Sequence, residues 1–408
     1  MKFTFLIAAF LLFTSSQTKA QENKSPSACE VNGYISTMPS LYWNKDSSLW
    51  QVLLLNRLNF NLYPANNFIA SIQLRNQIVA GDFVGLMNIE EGFSKENYFL
   101  PLTFQQVLGD QWLLSSSIDR IWLQYTWNKF EIKIGRQRIN WGQTFVWNPN
   151  DIFNTYNFFD FDYPERPGAD AMRMQYYTSY TSSLDFAAKI DSSGNITGAG
   201  LFRFTRWNTE FQFLAGYFSS SNKLILPGTL ADFVWKTEDL VIGSGLSAGI
   251  GTVSLRGEIS YFYSVQEKND STDQLLTSLA VDYTLGSKTS MMFEFFFNNN
   301  VQLSNISFFT MYGGSQNVKT LAFTRYNIFG QVTYPIIPIL NGTLAGMLFY
   351  DKGLMGFFVG PSIDLSLSDD LTLGMVCQIF TFRYENSYTT KKEWLNSNFA
   401  FLRLKWNF

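Results

Sequence analysis

The densest set of charged side chains lies between positions 131 and 170. Arg136, Arg138 and Asn140 occupy alternate positions, and acidic residues with a further arginine follow them. Facing rows of fixed acids and bases create a strong transverse field, which orients charged and polar solutes. The segment therefore predicts a place where solutes are bound or guided, and its candidate residues are Arg136, Arg138, Asn140, Asp151, Asp160, Asp162, Glu165 and Arg166.

Catalytic and metal chemistry is poorly supported. The 408 residues include no histidine, which excludes Ser-His and Cys-His catalysis and histidine-ligated metals or haem. Two cysteines so far apart, Cys29 and Cys377, do not make a disulfide framework. We expect Cys377 to be a free thiol facing lipid, and a bridge to Cys29, which would need Cys377 near the barrel rim, is the alternative. Asp160, Asp162 and Asp170 could be a calcium site, but turn capping or pairing with arginine is favoured. We therefore expect no enzyme activity, no cofactor and no metal.

The N-terminus has the pattern of a signal peptide. Lys2 is followed by an apolar run over 3–13 and by the small-residue cleavage site Thr18-Lys19-Ala20. The apolar run is too short for a spanning helix, which needs about 20 residues. Without Lys2 and Lys19, 28 of the 30 basic residues remain against 33 acidic ones, a balance too mild to indicate a nucleic-acid partner.

The mature sequence is rich in aromatic residues, at 17%, but has no long apolar run. Its apolar residues alternate with polar ones instead. In the last segment Leu402, Leu404 and Trp406 lie on one face, and Arg403 and Lys405 on the other. The same alternation recurs over 54–62, 68–77, 120–127, 253–261, 279–285 and 325–334. Because only helices and closed barrels satisfy their backbone groups in lipid, this pattern predicts an all-β, transmembrane antiparallel β-barrel of the cell outer membrane.

The connections give a strand count. Eight short turns alternate with nine connections that are often longer, which predicts about 18 strands (16–18), with short periplasmic turns and longer external loops. The short turns are 63–66, 128–129, 181–182, 208–209, 249–251, 286–288, 338–341 and 369–370. The external connections are 43–47, 82–113, 142–170, 191–195, 221–238, 266–272, 299–317, 351–354 and 386–395. The weak patterning of 33–43 and 221–250 leaves the lower number open.

These patterns divide the chain into three parts. They are a signal peptide over 1–20, a short periplasmic segment over 21–32 and the barrel over 33–408. A plug domain, which a TonB-dependent transporter would need, has no room before the barrel. Eighteen strands leave an aqueous channel, so a water-filled lumen is expected.

The segment 131–176 resembles a known family. The run Gly135-Arg136-Gln137-Arg138-Ile139-Asn140-Trp141-Gly142 is followed by Asn148-Pro149-Asn150-Asp151 and then by Arg166-Pro167-Gly168. This order is similar to that of alginate-export-type and related porin-like outer-membrane barrels of Gram-negative bacteria. The aromatic insert over 156–163 resembles Bacteroidetes-like versions. The resemblance implies a porin-like barrel and does not fix alginate, or any other compound, as the substrate.

The strand before the loop breaks the alternation. Ile132 and Ile134 share a face with Arg136 and Arg138, and arginine on the lipid face is costly. A bulge at Gly135 would turn both arginines inward. The aromatic loop 142–170 is then expected to fold into the lumen and bring its acids near the arginines, and packing on the barrel rim is the alternative.

The lumen positions carry more bases than acids. The bases are Arg57, Arg75, Arg120, Arg173, Arg203, Arg256, Arg325, Arg403 and Lys405, and the acids are Asp185, Glu210, Glu258, Asp282, Glu294 and Asp364. Together with the loop residues, Arg120 and Arg173 complete the predicted pore lining. The predicted function is a porin-like channel for passive diffusion of small polar solutes, with a mild preference for anions.

The alternative is a surface receptor, or an accessory barrel of an assembly or secretion complex, with a blocked lumen. Expected partners are outer-membrane lipid, the barrel-assembly machinery and small polar or anionic solutes, without nucleic acid. Trp406 and Phe408, which close the last alternating strand, resemble the signal that this machinery recognises. The sequence leaves the solute, the oligomeric state and any partner lipoprotein open.

Overall fold

The computed structural model describes residues 28–86, 98–155, 158, 165–225, 232–265, 273–286, 288–301, 317–385 and 392–408. The predicted signal peptide, 1–20, lies outside the described residues. The elements are β1 Cys29–Trp43, β2 Ser48–Ala65, β3 Phe68–Gly81, α1 Asp82–Leu86, β4 Thr103–Leu108, β5 Trp112–Trp127, β6 Phe130–Gln137, β7 Ala169–Ser179, β8 Ser182–Ile190, β9 Ile196–Arg206, β10 Thr209–Ile225, β11 Asp232–Ile250, β12 Val253–Ser264, β13 Gln274–Leu285, β14 Thr289–Asn298, β15 Tyr326–Ile337, β16 Leu340–Asp351, β17 Leu354–Ser366, β18 Leu371–Glu385 and β19 Lys392–Asn407.

The strands form one closed antiparallel barrel. Each strand pairs with its neighbours, and β19 pairs with β1, so that Tyr34 lies opposite Asn407 and Trp43 opposite Asn398. Phe408 extends this closure, because Gly33 and Phe408 exchange two backbone hydrogen bonds of 2.9 and 3.0 Å. The first strand begins at Cys29 rather than at the expected position 33, since residues 29–32 already pair with β2.

The barrel has 19 strand segments but 18 positions in its wall. One edge of β5 pairs with β3 along most of its length. The other edge is shared, because residues 112–117 of β5 pair with β4 and residues 121–127 pair with β6. The two short strands, β4 and β6, therefore lie end to end and together occupy one strand position in the barrel wall. The prediction of 18 strands is confirmed, and so are the eight short turns between them.

The two faces of the wall follow the alternation. On β12, Leu255, Ile259 and Tyr263 are exposed on the outside, whereas Glu258 and Phe262 are buried on the inside. An outer face of exposed apolar side chains is what contact with lipid requires. Among the described residues no helix is long and apolar enough to cross a membrane. Cys29 and Cys377 are both free thiols, as expected.

The inside of the barrel is more apolar than the sequence patterns indicated. Six phenylalanines face inward from β14 to β18, at the end of the barrel that carries the longer connections. Each is at most 4% exposed. They are Phe296, Phe329, Phe349, Phe358, Phe380 and Phe382. The expected polar lining therefore does not extend around the whole inner face, and one sector is aromatic.

Candidate functional site

The change of face predicted at Gly135 is wrong in its position. The β5–β6 and β6–β7 pairings run through Gly135 without a shift, although this residue has a φ of 118°. A Cβ there would lie 2.2 Å from the carbonyl oxygen of Ile121, so only glycine fits. The extra residue is Asp119 on β5, where the pairing with β3 shifts. Before this bulge Trp112 is exposed on the outside of the barrel, and after it Leu123 is exposed on the same side. Outward-facing side chains therefore change from even-numbered to odd-numbered positions between these two residues.

Arg136 does not line the lumen, which corrects the predicted pore lining. Its side chain is fully buried in the seam between the end of β6 and the start of β4. Its Nε donates to Oδ1 of Asp170 at 2.8 Å, its Nη1 to the carbonyl of Ile118 at 3.0 Å and its Nη2 to the carbonyl of Leu100 at 2.5 Å. The ring of Tyr98 lies 3.8 Å from its Cζ. A cation at a lipid-facing position is tolerated here because all of its contacts are protein groups.

The segment between β6 and β7, residues 138–168, is named the inner loop. It begins four residues earlier than the expected loop 142–170 and ends before Asp170, which belongs to β7. The carboxylate of Glu294 on β14 accepts three successive backbone N–H groups, those of Phe145, Val146 and Trp147, at 2.8–2.9 Å. This contact fixes the middle of the inner loop against the opposite wall.

A second carboxylate fixes the same loop beside the first. Glu258 on β12 accepts the N–H of Thr144 at 2.8 Å and that of Asn150 at 2.9 Å, and it also accepts the N–H of Gln143. On β11, a Cβ at Gly243 would lie 2.5 Å from Oδ1 of Asn150, so the absence of a side chain makes room for the loop. The sequence identified Glu258 and Glu294 as inward-facing acids but gave no sign that they bind a loop.

Aromatic side chains complete the attachment of the inner loop. Trp141 is fully buried, and its Nε1 donates to Asp185 on β8 at 2.9 Å. Trp147 stacks on Phe296 of β14 with ring centroids 5.5 Å apart. Phe158 contacts Phe329 of β15 at 5.1 Å. The inner loop thus contacts inward-facing side chains on β8, β14 and β15.

The predicted loop residues are brought together in part. Arg166 donates through Nη1 to Oδ1 of Asn140 at 2.8 Å and to Oδ2 of Asp151 at 3.1 Å. Arg138 is accessible to solvent but partly surrounded by protein, and this partial burial together with the nearby Arg166 lowers the pKa of its guanidinium. Burial raises the pKa of Asp151 to about 7, and Arg166 opposes that rise. Asp160 and Asp162 lie outside the described residues.

Arg120 and Arg173 have different partners. Arg173 pairs with Asp185, with Nε 3.0 Å from Oδ1, and so it supports the carboxylate that binds Trp141. The Nη2 of Arg120 donates to the backbone carbonyls of Glu165 and Arg166, at 2.6 and 2.9 Å. Arg166 has a positive φ of 59°, an uncommon conformation for a side chain of this size, and the arginine contact holds it in place.

Basic side chains collect on the inner face from β19 through β5. We name Arg57, Arg75, Arg120, Arg403 and Lys405 the basic cluster. Arg57 lies opposite Arg75 in the β2–β3 pairing, and Nζ of Lys405 lies 4.1 Å from the ring centroid of Tyr34. Arg57 bonds Asp119 at 2.6 Å.

The inner loop adds an acid to this group. The hydroxyl of Tyr34 donates to Oε1 of Glu165 at 2.8 Å, and Nη1 of Arg57 lies 3.8 Å from Oε2. Glu165 therefore lies beside arginine side chains of the barrel wall, as expected for an acid of this loop. Its partners are Tyr34 and Arg57, however, and not Arg136 and Arg138.

A cavity of about 260 Å³ lies between the inner loop and the aromatic sector. One charged group, that of Arg166, lies among largely apolar neighbours. The lining residues are Thr144, Phe145, Val146, Phe158, Arg166, Met292, Phe329 and Gln331. This volume is just below the usual range of ligand sites, which begins at about 300 Å³.

No protein-family model matches the sequence, and the curated proteins include no match. Solved structures do match. OccAB2 of Acinetobacter baumannii superimposes with a TM-score of 0.53 at 9% identity, over 93% of this chain and 98% of that one. OccK11 (OpdR) of Pseudomonas aeruginosa gives 0.52 at 10% identity, over 93% and 96%. OpdK of the same organism, solved with vanillate, gives 0.51 at 9% identity, over 93% and 98%. At such identity the similarity concerns the fold: the chain is similar to porin-like β-barrels of the outer membrane.

Proposed function

We propose that this barrel is a channel through which small organic anions diffuse passively. The observation that supports this proposal is the basic cluster on the inner face of β19 through β5, which adjoins the aromatic sector on β14 to β18, while the inner loop contacts both regions. The five bases of the basic cluster outnumber the three described acids near them, which are Asp119, Glu165 and Asp364. An inward field of one sign raises the local concentration of the opposite ion and its rate of entry.

The apolar side of the pathway favours a particular kind of anion. Phe145, Phe158 and Phe329 line the cavity that also contains Arg166. A solute with a carboxylate and an aromatic or aliphatic part would satisfy both surfaces, because arginine binds carboxylates strongly and apolar burial is favourable. OpdK was solved with vanillate, a small aromatic carboxylate, and a ligand of this class has the chemistry that the present cavity requires.

Conductance and uptake test the proposal. The purified barrel in planar bilayers, under a KCl gradient, should give a reversal potential that favours chloride over potassium. Proteoliposomes should take up benzoate faster than benzylamine, which has a similar ring and the opposite charge. Lys405→Gln should reduce both preferences. The matched control is Lys352→Gln, which removes the same charge from the external turn between β16 and β17.

The second candidate is a receptor or accessory barrel with a blocked lumen. The burial of the aromatic sector and the firm attachment of the inner loop favour it, since both reduce the open cross-section. A folded barrel that conducts no ions and takes up no benzoate would establish this alternative and reject the channel. We also propose that this chain is related to alginate-export-type barrels and that the barrel-assembly machinery recognises its last strand.

A further inference from the structure

The Glu165 carboxylate occupies the position that an anionic solute would take in the basic cluster. Its two oxygens face a phenol O–H donor, that of Tyr34, and a guanidinium, that of Arg57. Such donors form the charge-assisted bonds by which proteins bind free carboxylates. Glu165 belongs to the inner loop, whereas the donors belong to the wall.

Glu165 is held less firmly than Asp119, the other acid that contacts Arg57. Arg57 approaches Asp119 to 2.6 Å but Glu165 only to 3.8 Å. The Asp119 side chain is 1% exposed and that of Glu165 is 22% exposed. Asp119 is therefore part of the wall, while the Glu165 carboxylate is the one that can exchange with a solute.

The main chain at Glu165 need not move for this exchange. Arg120 holds the backbone carbonyls of Glu165 and Arg166, and Arg166 is itself fixed by Asp151. Rotation of the Glu165 side chain alone would vacate Tyr34 and Arg57. The exchange therefore breaks the two contacts of the Glu165 side chain and leaves the loop in place.

We propose that Glu165 is a tethered competitor for the anion site, which fills the basic cluster in the empty channel and is displaced by a permeating carboxylate. This inference rests on the proposed function and adds its regulation. Anions lacking the affinity to displace Glu165 pass slowly, so the residue sets a threshold for selection. If Glu165 fills the site about nine-tenths of the time, it raises the apparent Kd of a solute about tenfold.

Binding of benzoate to the detergent-solubilised barrel, measured by isothermal titration calorimetry, tests the competition. Glu165→Gln should lower the Kd for benzoate about tenfold. Glu165→Asp keeps the charge but shortens the reach to Tyr34, so it should also tighten binding, by a smaller factor. The control is Glu210→Gln, which removes an inward-facing acid paired with Arg203 at 3.2 Å and should change the Kd less than twofold.

Each outcome is decisive. Tighter binding in both Glu165 variants, with little change in the control, supports competition. An unchanged Kd in Glu165→Gln overturns it, and so does an equal shift in Glu210→Gln, which would show a general charge effect. Benzoate uptake by wild-type proteoliposomes, measured alongside, separates the proposals. Uptake without a Glu165 effect rejects only the competitor, whereas neither uptake nor binding in a folded barrel rejects both.

Discussion

The carboxylate of Glu294 accepts the backbone N–H of Trp147 at 2.8 Å, across a sequence separation of 147 residues. Oε1 accepts the N–H of Trp147, and Oε2 accepts the N–H groups of Phe145 and Val146. One side chain of β14 thereby satisfies three consecutive amides, and the indole of Trp147 stacks on Phe296 of the same strand. Because Glu294 binds backbone amides, this attachment does not depend on the side chains of residues 145–147.

Glu294→Ala should release the inner loop. Each buried amide left without an acceptor costs about 1–3 kcal/mol, so the attached position of the loop loses most of its advantage. We expect a larger and noisier single-channel conductance in a barrel that still shows heat-modifiable migration on gels. Asp282→Asn, which removes an inward-facing acid that contacts Arg256, is the control. Unchanged conductance in Glu294→Ala would contradict the role given to this carboxylate.

The two arginines of the motif should behave differently. Arg136→Ala leaves Asp170 without its buried partner and should destabilise the barrel by about 3–5 kcal/mol. Arg138→Ala removes an exposed cation near Asp151 and Arg166, so the protein should fold normally and lose part of its anion preference. Unfolding temperature on gels measures the first effect, and reversal potential in a KCl gradient measures the second. A stable Arg136→Ala barrel with altered ion selectivity would contradict the structural role given to Arg136 and show that this residue contributes to selectivity.

Stability should fall as pH rises through the range set by Asp151. Its pKa is raised from 3.8 to about 7 by burial, so the folded protein keeps a proton that the unfolded chain has already lost. The folded state is therefore favoured below the lower pKa and loses this advantage between about pH 4 and pH 7, at about 1.4 kcal/mol per unit of pKa difference. Asp151→Asn should flatten the dependence of the gel unfolding temperature over pH 4–8. The same slope in wild type and variant would contradict the raised pKa.

Phe408 should matter for assembly through its ring. Its backbone exchanges two hydrogen bonds with Gly33, and its ring lies 5.5 Å from that of Trp406. Phe408→Ala keeps the backbone bonds and removes the ring, so a lower yield of heat-modifiable barrel in the outer membrane is expected. Phe408→Tyr keeps the aromatic ring and should assemble normally. Normal yield of Phe408→Ala would remove the basis for an assembly signal.

Alternation and turn residues were sufficient to predict the strand count. Each strand, such as 253–264, has one face in lipid, so its own sequence shows which residues point outward. The aromatic sector was harder to foresee. The run Phe295-Phe296-Phe297 puts an aromatic residue on both faces, which hides the fact that Phe296 faces inward. Short segments were also missed, since β4, with six residues, lies within a stretch that was expected to be a loop.

The site was less predictable than the fold because its contacts are distant in sequence. The two carboxylates that hold the inner loop, Glu258 and Glu294, lie more than 100 residues from the amides that they accept. The bulge at Asp119 occurs where Ser115, Ser116 and Ser117 carry no contrast between the two faces. Gly135 is a special position, as the motif indicated, but its role is close approach to Ile121 and not a change of phase.

The strand position that β4 and β6 share affects the order in which the barrel wall can form. β4 joins β5 through a three-residue turn, and β5 joins β6 through a two-residue turn. Closing such short loops costs little chain entropy, so the three segments can associate before any distant part of the chain arrives. The seam is completed only when β7 brings Asp170 to Arg136. A folding intermediate lacking β7 would have an unneutralised guanidinium in its wall, which would disfavour its entry into lipid until the next strand has docked.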